Sequence, residues 1–274
     1  MVRRESRRFR ILRLEVDVSF PFPTIIGIFA AFIMIASYSL LGMPDIGLQF
    51  ALPIGSIDPS SVGDLAAAIR IMMTHSIVVS TLNLFYVILL LVPLLMAFNF
   101  ALGFSNGQIR MLVSYPIGRK RIIITKWGLI FILSSASVTL GALFGLAFFF
   151  PFTMDIAILG QLFIPLWINI LLVTTSCLLM AVLFRSAPLT AVGGISLWLG
   201  TFVLFTMQSS SSFLLNVLFP FLSAINYLNP DFISPISFLG ATSLSDVLLG
   251  CGAAFLLSVL LLCFSVFAFR RLEV

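Results

Sequence analysis

The residue types that could act on another molecule are concentrated in one polar stretch, 105–126, which lies between two apolar runs. The stretch holds five of the fifteen Lys and Arg residues of the chain: Arg110, Arg119, Lys120, Arg121 and Lys126. Ile109, Leu112 and Val113 recur at i, i+3 and i+4, so they predict one apolar face of a short helix. An amphipathic helix that ends in cations is typical of a surface on which another protein docks.

Residues for catalysis are missing from the apolar parts of the sequence. The predicted spans contain no Lys, Arg, Asp, Glu or His, and the chain has a single histidine, His75, at a predicted span boundary. A nucleophile needs a base or a metal beside it, and a proton relay needs ionisable groups inside the membrane. There is also no phosphate-binding loop of the G-x-x-x-x-G-K-[ST] form. We therefore expect no catalytic residue, no metal site and no cofactor in this chain, and we expect energy to enter from another protein through 105–126.

The composition places the chain in a membrane. It has 274 residues, of which 61% are hydrophobic and 9% charged, whereas soluble domains are about 25% charged. The net charge of +5 comes from cations in short loops, as the positive-inside rule places them, so no nucleic-acid partner is expected. Cys177, Cys251 and Cys263 fall in apolar runs and are predicted to be small core residues.

The elements that must position the polar stretch are predicted to be helices of a single transmembrane domain, 1–274. We predict an all-α fold with six spans, at 24–42, 76–101, 128–150, 156–184, 189–207 and 247–269. Pro93 predicts a kink in the second span, and Pro165 a break or tilt in the fourth. The first span could instead be the core of a cleaved signal peptide, but its nineteen uncharged residues exceed the usual length of about 7–15.

Three further segments flank the spans. The basic segment 1–23 alternates strictly between apolar and polar residues from Leu12 to Phe20, which is typical of a strand, but an interfacial helix is favoured beside a bilayer. A long outer loop is predicted at 43–75. The apolar piece at 213–225 is too short to cross, at about 20 Å against a hydrocarbon core of about 30 Å. We predict that it pairs with 232–239 as two re-entrant half-membrane helices within 213–239.

The charge distribution tests this topology. With six spans, fourteen of the fifteen Lys and Arg residues lie inside, and only Arg70 lies outside. An odd number of spans would scatter the basic residues across both sides, against the positive-inside rule. We therefore expect a multi-pass protein of the plasma membrane with both termini in the cytoplasm.

The polar stretch also resembles a known family. Residues 107–121 read GQIRMLVSYPIGRKR, which is similar to the G-T-L-R-L-L-L-S-Y-P-V-S-R-R segment of ABC transporter type-two permeases, the six-span membrane subunits of exporter-like ATP-binding-cassette systems. The turn Tyr227 to Pro230 is similar to the Y-L-N-P of those proteins. One departure is that Ser105 and Asn106 stand where the family commonly has acidic residues, so a charge contact with the ATPase is absent or relocated.

The resemblance implies that the stretch is a coupling helix docked on a separate ATPase chain, which would hold ATP and Mg²⁺. It implies a working unit of two ATPase subunits and two permease chains, identical or homologous, in the bilayer. Ile109, Leu112 and Val113 would pack into a groove of the ATPase, Arg110 and Arg119 would contact its rim, and Pro116 and Gly118 would fix the turn that ends the helix. The full expected docking set is Gln108, Ile109, Arg110, Leu112, Val113, Ser114, Tyr115, Pro116, Gly118 and Arg119.

A few polar residues lie within the predicted spans. Asn83 and Asn169 either line a translocation path or make hydrogen bonds between helices, and the second reading is the more frequent for such residues. Residues 174–176 are predicted to bond to their own preceding turn. An apolar or amphipathic substrate fits a path without charges. Two other functions stay open from the sequence: a membrane scaffold or assembly protein that transports nothing, and an ion-coupled secondary transporter.

Overall fold

The structure is a computed structural model that describes Gly27, Ala30 and Met34, and residues 84–109, 119–149, 156–207, 212–228 and 243–271. Throughout these ranges the regular structure is helical, with no strand. Among the described residues, five helices are long and apolar enough to cross a membrane. The chain is thus a polytopic helical membrane protein, as the composition predicted.

Several predicted segments lie outside the described residues. They are the interfacial segment 1–23, the outer loop 43–75, the centre of the coupling helix at 110–118, and the second re-entrant piece at 232–239. Of the predicted first span, Gly27, Ala30 and Met34 are described, and each is helical and exposed.

Seven helices can be followed in the described ranges. Those of span length are α1 (Leu84–Ser105), α2 (Arg119–Phe149), α3 (Ile156–Phe184), α4 (Ala187–Met207) and α7 (Leu244–Arg271). Two short helices, α5 (Ser212–Leu218) and α6 (Pro220–Leu228), precede the last one. Helix α3 occupies the centre, because it packs against α2, α4, α6 and α7.

Helix α1 changes its winding after Pro93. Residues Ala97–Ala101 form a π-helical turn, and the backbone N–H of Leu102 donates to the carbonyl oxygen of Ala97, five residues back. The side-chain amide of Asn99 donates to the carbonyl oxygen of Leu95 at 3.0 Å. An inserted residue of this kind widens a helix and leaves a carbonyl without its usual partner, so Asn99 stabilises the irregular turn. The helix then continues to Ser105, past the predicted end at Ala101.

Helix α2 begins at Arg119, earlier than the predicted start at Gly128. The residues 119–126 were expected to belong to the inner loop, but they form the first two turns of this helix. The physical reason is that no Pro or Gly follows Gly118 until Gly128, so these turns contain no residue that breaks a helix. Four of the five cations of the stretch, Arg119, Lys120, Arg121 and Lys126, are therefore fixed on a helix rather than on a loop.

Proline affects α3 and the short helices differently. Pro165 lies inside α3, which continues through it as one helix of 29 residues, so the predicted break does not occur and the helix tolerates the proline. Between α5 and α6 the helix is interrupted at Phe219, directly before Pro220. A proline disfavours the helical conformation of the residue before it. The described part of the predicted first re-entrant piece is thus two short helices, and α6 is buried from Pro220 to Asn226.

Reciprocal hydrogen bonds define the start of α7. The backbone N–H of Asp246 donates to Ser243 Oγ at 3.2 Å, and the backbone N–H of Ser243 donates to Asp246 Oδ2 at 3.0 Å. This is a capping box with Asp in place of Glu, and it satisfies two backbone donors that a helix start leaves open.

Helix α7 approaches α5 more closely than any side chain would allow. A Cβ built on Gly250 would lie 2.5 Å from the carbonyl oxygen of Asn216. Two positions further along, a Cβ on Gly252 would meet nothing within 4 Å. Gly250 is therefore required for the contact between α7 and the short helices, while Gly252 is not.

This difference predicts the outcome of a matched pair of substitutions. Gly250→Ala should lower the stability of the protein by about 1–3 kcal/mol, because the added methyl group overpacks the helix contact. Gly252→Ala adds the same methyl group to the same helix and should leave the stability unchanged or slightly raised. The thermal midpoint of the purified protein in detergent measures both. Equal midpoints for the two variants would contradict the role assigned to Gly250.

Candidate functional site

Three helix ends meet at one end of the bundle, which we call the basic end and define by Arg119, Lys120, Arg121, Arg270 and Arg271. Phe269, fully buried near the end of α7, lies between Phe100 and Phe104 of α1, with ring centroids 6.3 and 6.1 Å away. Arg119 Nη1, at the start of α2, donates to the carbonyl oxygen of Arg270 at 3.3 Å. The end of α7 is thereby tied to both α1 and α2.

The chain leaves α1 through a tight turn. The backbone N–H of Gly107 donates to the carbonyl oxygen of Phe104 at 3.4 Å, and Gly107 has φ of 72°. Residues with a Cβ rarely adopt this left-handed conformation, so glycine suits the position. The turn directs the chain into Gln108 and Ile109, where a helix begins.

The structure corrects the expectation for Ile109. We expected its side chain to enter a groove of a partner, but it is fully buried within this chain. A Cβ on Gly103 would lie 3.2 Å from Ile109 Cγ1, so the side chain packs where Gly103 leaves room. Ile109 therefore stabilises the base of the predicted coupling helix, and it is not available to a partner in this conformation.

The other expected docking residues divide into two groups. Gln108 and Arg119 are partly exposed, at either edge of the predicted coupling helix. The remaining seven lie in 110–118, outside the described residues: Arg110, Leu112, Val113, Ser114, Tyr115, Pro116 and Gly118. Their docking role stays a prediction, and both stems of their segment are fixed to the bundle.

Lys126 is a functional candidate that the sequence reasoning missed. It was assigned to the inner loop, yet it lies two turns into α2 and is 1% exposed. Ile130 and Ser134 are buried on the same helix at intervals of four residues, so all three lie on one face. This spacing could have indicated the buried face from the sequence alone, but the predicted helix began at Gly128 and so excluded Lys126. An ionisable group within a membrane helix is rare and usually functional.

Asn169 lies at the middle of α3 and is fully buried, and neither its Nδ2 nor its Oδ1 has a hydrogen-bond partner. Asn83, the other residue expected on a path, lies outside the described residues. Burying an amide without a hydrogen bond is unfavourable. The expected reading as a hydrogen bond between helices is therefore not realised at Asn169.

Other unpartnered polar atoms lie at the same level of the bundle. Ser134 Oγ and Ser135 Oγ of α2 are buried without a hydrogen-bond partner. Trp167 Nε1 of α3 donates to Thr139 Oγ1 of α2 at 2.8 Å, which sets the register of the two helices. Because α2 and α3 are joined by the short connection 150–155, they run antiparallel, and Asn169 lies within about 5 Å of Ser134 along the helix axis. These atoms form a polar level inside an apolar bundle.

Residues 174–176 behave as predicted. Thr174 Oγ1 and Thr175 Oγ1 donate to the carbonyl oxygen of Leu171, both at 2.9 Å, and Ser176 Oγ donates to that of Val173 at 2.9 Å. Ser176 Oγ also accepts a hydrogen bond from Trp198 Nε1 at 2.9 Å, which joins α3 to α4. These hydroxyl groups are satisfied internally.

An aromatic cluster surrounds the interruption between α5 and α6. The ring of Phe219 lies 5.5 Å from that of Phe85, 5.8 Å from Trp198 and 6.0 Å from Phe202, in edge-to-face geometry. Such pairs add to the stabilisation that burial alone provides. Phe219 therefore anchors the short helices against α1 and α4.

The cysteines and potential metal ligands give little chemistry. Cys177 and Cys251 are buried, as predicted, but Cys263 is exposed on α7, because in a membrane protein an apolar helix face can contact lipid instead of core. Within the described ranges, no group of three His, Cys, Asp or Glu residues could hold a metal ion. The candidate site is thus the basic end together with the buried Lys126 and the polar level around Asn169.

Comparison of the chain with protein-family models, with curated proteins and with solved structures finds no match.

The unpartnered amide of Asn169 predicts an unusual response to mutation. Asn169→Leu keeps the approximate size of the side chain and removes the unmet hydrogen-bonding groups, so stability should rise by about 1–3 kcal/mol. Ser223→Ala is the control: Ser223 Oγ donates to Asn216 Oδ1 at 2.6 Å, and its loss should lower stability by about 1 kcal/mol. Thermal unfolding in detergent distinguishes the two directions. A loss of stability in Asn169→Leu would show that the amide is bonded in the folded protein.

Proposed function

We propose that this chain is the membrane-spanning permease subunit of an ATP-driven ABC transporter, with ATP hydrolysis in a separate partner chain. It has six spans with both termini in the cytoplasm of a plasma-membrane protein, and it exports an apolar or amphipathic substrate. The basic end then faces the cytoplasm, where the coupling segment 105–118 meets the ATPase.

The observation that carries the proposal is the attachment of the coupling segment. On one side it continues from α1 through the Gly107 turn, with Ile109 buried against Gly103. On the other side it enters α2 at Arg119, which bonds to the end of α7. A displacement of this segment would reach three long helices directly, as a coupling element requires.

The substrate class is inferred from one buried polar group and one apolar pocket. Asn169 offers an unmet donor and acceptor at the polar level, which supports a path that includes Asn169, while the place of Asn83 on that path stays a prediction. An apolar pocket of about 350 Å³, open to the outer face of the bundle, lies between α3, α4 and α7 and is lined by residues that include Met180, Trp198 and Leu257. Apolar walls with a few polar groups are typical of sites for apolar or amphipathic ligands.

Lys126 favours a second candidate, an ion-coupled secondary transporter. A buried lysine in a membrane helix can exchange a proton or bind an anion as part of a transport cycle. A scaffold without transport is the remaining alternative, for which the basic end would serve as a recruitment surface.

The docking role of the segment is tested by Leu112→Asp with Val113→Asp in one variant. Two acidic groups on the apolar face of the predicted coupling helix should abolish co-purification of a cassette ATPase, because an apolar groove cannot accommodate unpaired carboxylates. Ser186→Asp is the matched control, since it adds an acid to the turn between α3 and α4 at the same end of the bundle. Native mass spectrometry or size-exclusion chromatography measures the complex.

Different results separate the three functions. ATP-dependent transport in liposomes, present in wild type and Ser186→Asp and absent in the double variant, supports the permease. Uptake driven by an ion gradient with this chain alone, lost in Lys126→Met, supports the secondary transporter. If no ATPase co-purifies and neither energy source drives transport, the scaffold function stands and the permease proposal fails.

A further inference from the structure

A cavity of about 600 Å³ opens at the basic end, and the described residues that line it are Arg119, Lys120, Arg121 and Arg270. Lys120, Arg121 and Arg270 are exposed, while Arg119 is partly buried and donates to the carbonyl oxygen of Arg270. The described lining contains no acidic residue. Four cations therefore border one cavity between the start of α2 and the end of α7.

Two exposed cations of the cavity, Lys120 and Arg121, lie in the first turn of α2. The N-terminus of a helix carries a partial positive charge and favours anions. An anion in the cavity would therefore be attracted both by these two side chains and by the helix end.

We propose that the cavity binds the phosphate group of an anionic membrane lipid. Its volume is sufficient for a lipid headgroup, and arginine presents several N–H donors that match phosphate oxygens. Basic pockets between membrane helices at the bilayer surface are suited to such headgroups.

The surface next to the cavity indicates a lipid rather than a soluble anion. Ile124 of α2 is 46% exposed and Phe267 of α7 is 49% exposed, one turn or less further into each apolar helix. The guanidinium carbon of Arg271 lies 4.4 Å from the centroid of the Phe267 ring, a cation–π contact. Cations at the helix ends, with exposed apolar side chains one turn further along the same helices, suit a ligand that has a phosphate group and acyl chains.

The test uses the full chain in a neutral detergent, without an ATPase. Titration with phosphatidylglycerol should raise the thermal midpoint at concentrations where phosphatidylcholine of the same chain length does not. In the double variant Lys120→Gln with Arg121→Gln, the phosphatidylglycerol concentration that gives half of the maximal midpoint shift should rise about 30-fold. The reason is that each cation near an anionic lipid surface contributes about fivefold to binding. Both side chains are exposed, so the double variant should fold. A thermal midpoint close to that of the wild type in the absence of added lipid would show that it does.

Arg185→Gln is the matched control, because Arg185 is also an exposed arginine but lies outside the cavity lining, in the turn between α3 and α4. It should respond to phosphatidylglycerol as the wild type does. Equal stabilisation by both lipids, or a double variant that responds like the wild type, would overturn the proposal. A midpoint shift of the same size with inorganic phosphate alone would assign the site to a soluble anion.

A further outcome concerns a protein partner. If the double variant keeps its lipid response but loses co-purification of an ATPase, the cations belong to a protein interface and the lipid proposal fails. The lipid titration does not depend on the transport function, so failure of one proposal leaves the other intact.

Discussion

Hydrocarbon offers no hydrogen-bond partner, and this constraint governs the described part of the molecule. Each long helix satisfies its own backbone, and most polar side chains in the bundle bond to the preceding turn, as Thr174 and Thr175 do. Where two helices share a polar contact, it is a specific pair such as Trp198 with Ser176. Against this background, the unpartnered amide of Asn169 stands out. Its two polar atoms carry the cost of burial without the compensation that the other polar side chains obtain.

The same constraint explains the basic end. Cations cannot lie in the hydrocarbon without a large cost, so they collect where α2 begins and α7 ends. The aromatic contacts of Phe269 with Phe100 and Phe104, together with the bond from Arg119 to the Arg270 carbonyl, connect the ends of three helices there. The proposed ATPase contact and the proposed lipid site share this corner. If both proposals hold, a lipid bound beside α2 would adjoin the segment on which the ATPase would act, and the lipid composition of the bilayer would affect the coupling.

The positions of the membrane helices were predictable because they depend on hydropathy, which can be summed over consecutive residues without knowledge of contacts. Long apolar runs identify membrane helices, which is why the predicted spans 156–184 and 189–207 agree closely with α3 and α4. The effect of Pro220 was also local, since a proline restricts its preceding residue wherever it occurs. At Pro165 the predicted break does not occur, since α3 continues as one helix from Ile156 to Phe184, and the tilt predicted as the alternative stays a prediction. The predicted coupling helix and the six-span topology depend on segments outside the described residues, and they stay predictions.

The sequence by itself determined that this is a helical membrane protein, that its cations lie outside the long apolar runs, and that five of the fifteen Lys and Arg residues fall in the stretch 105–126. Those conclusions follow from hydropathy and charge, which need no knowledge of contacts. The tertiary structure alone decided which residues face one another. Lys126 lies on the buried face of α2 and not in a loop, and Ile109 is buried against Gly103. Only glycine fits at position 250, where α7 contacts α5. The amide of Asn169 has no hydrogen-bond partner. The physical reason is that burial and pairing depend on how helices distant in sequence pack together, and the order of residues along one helix does not specify that packing.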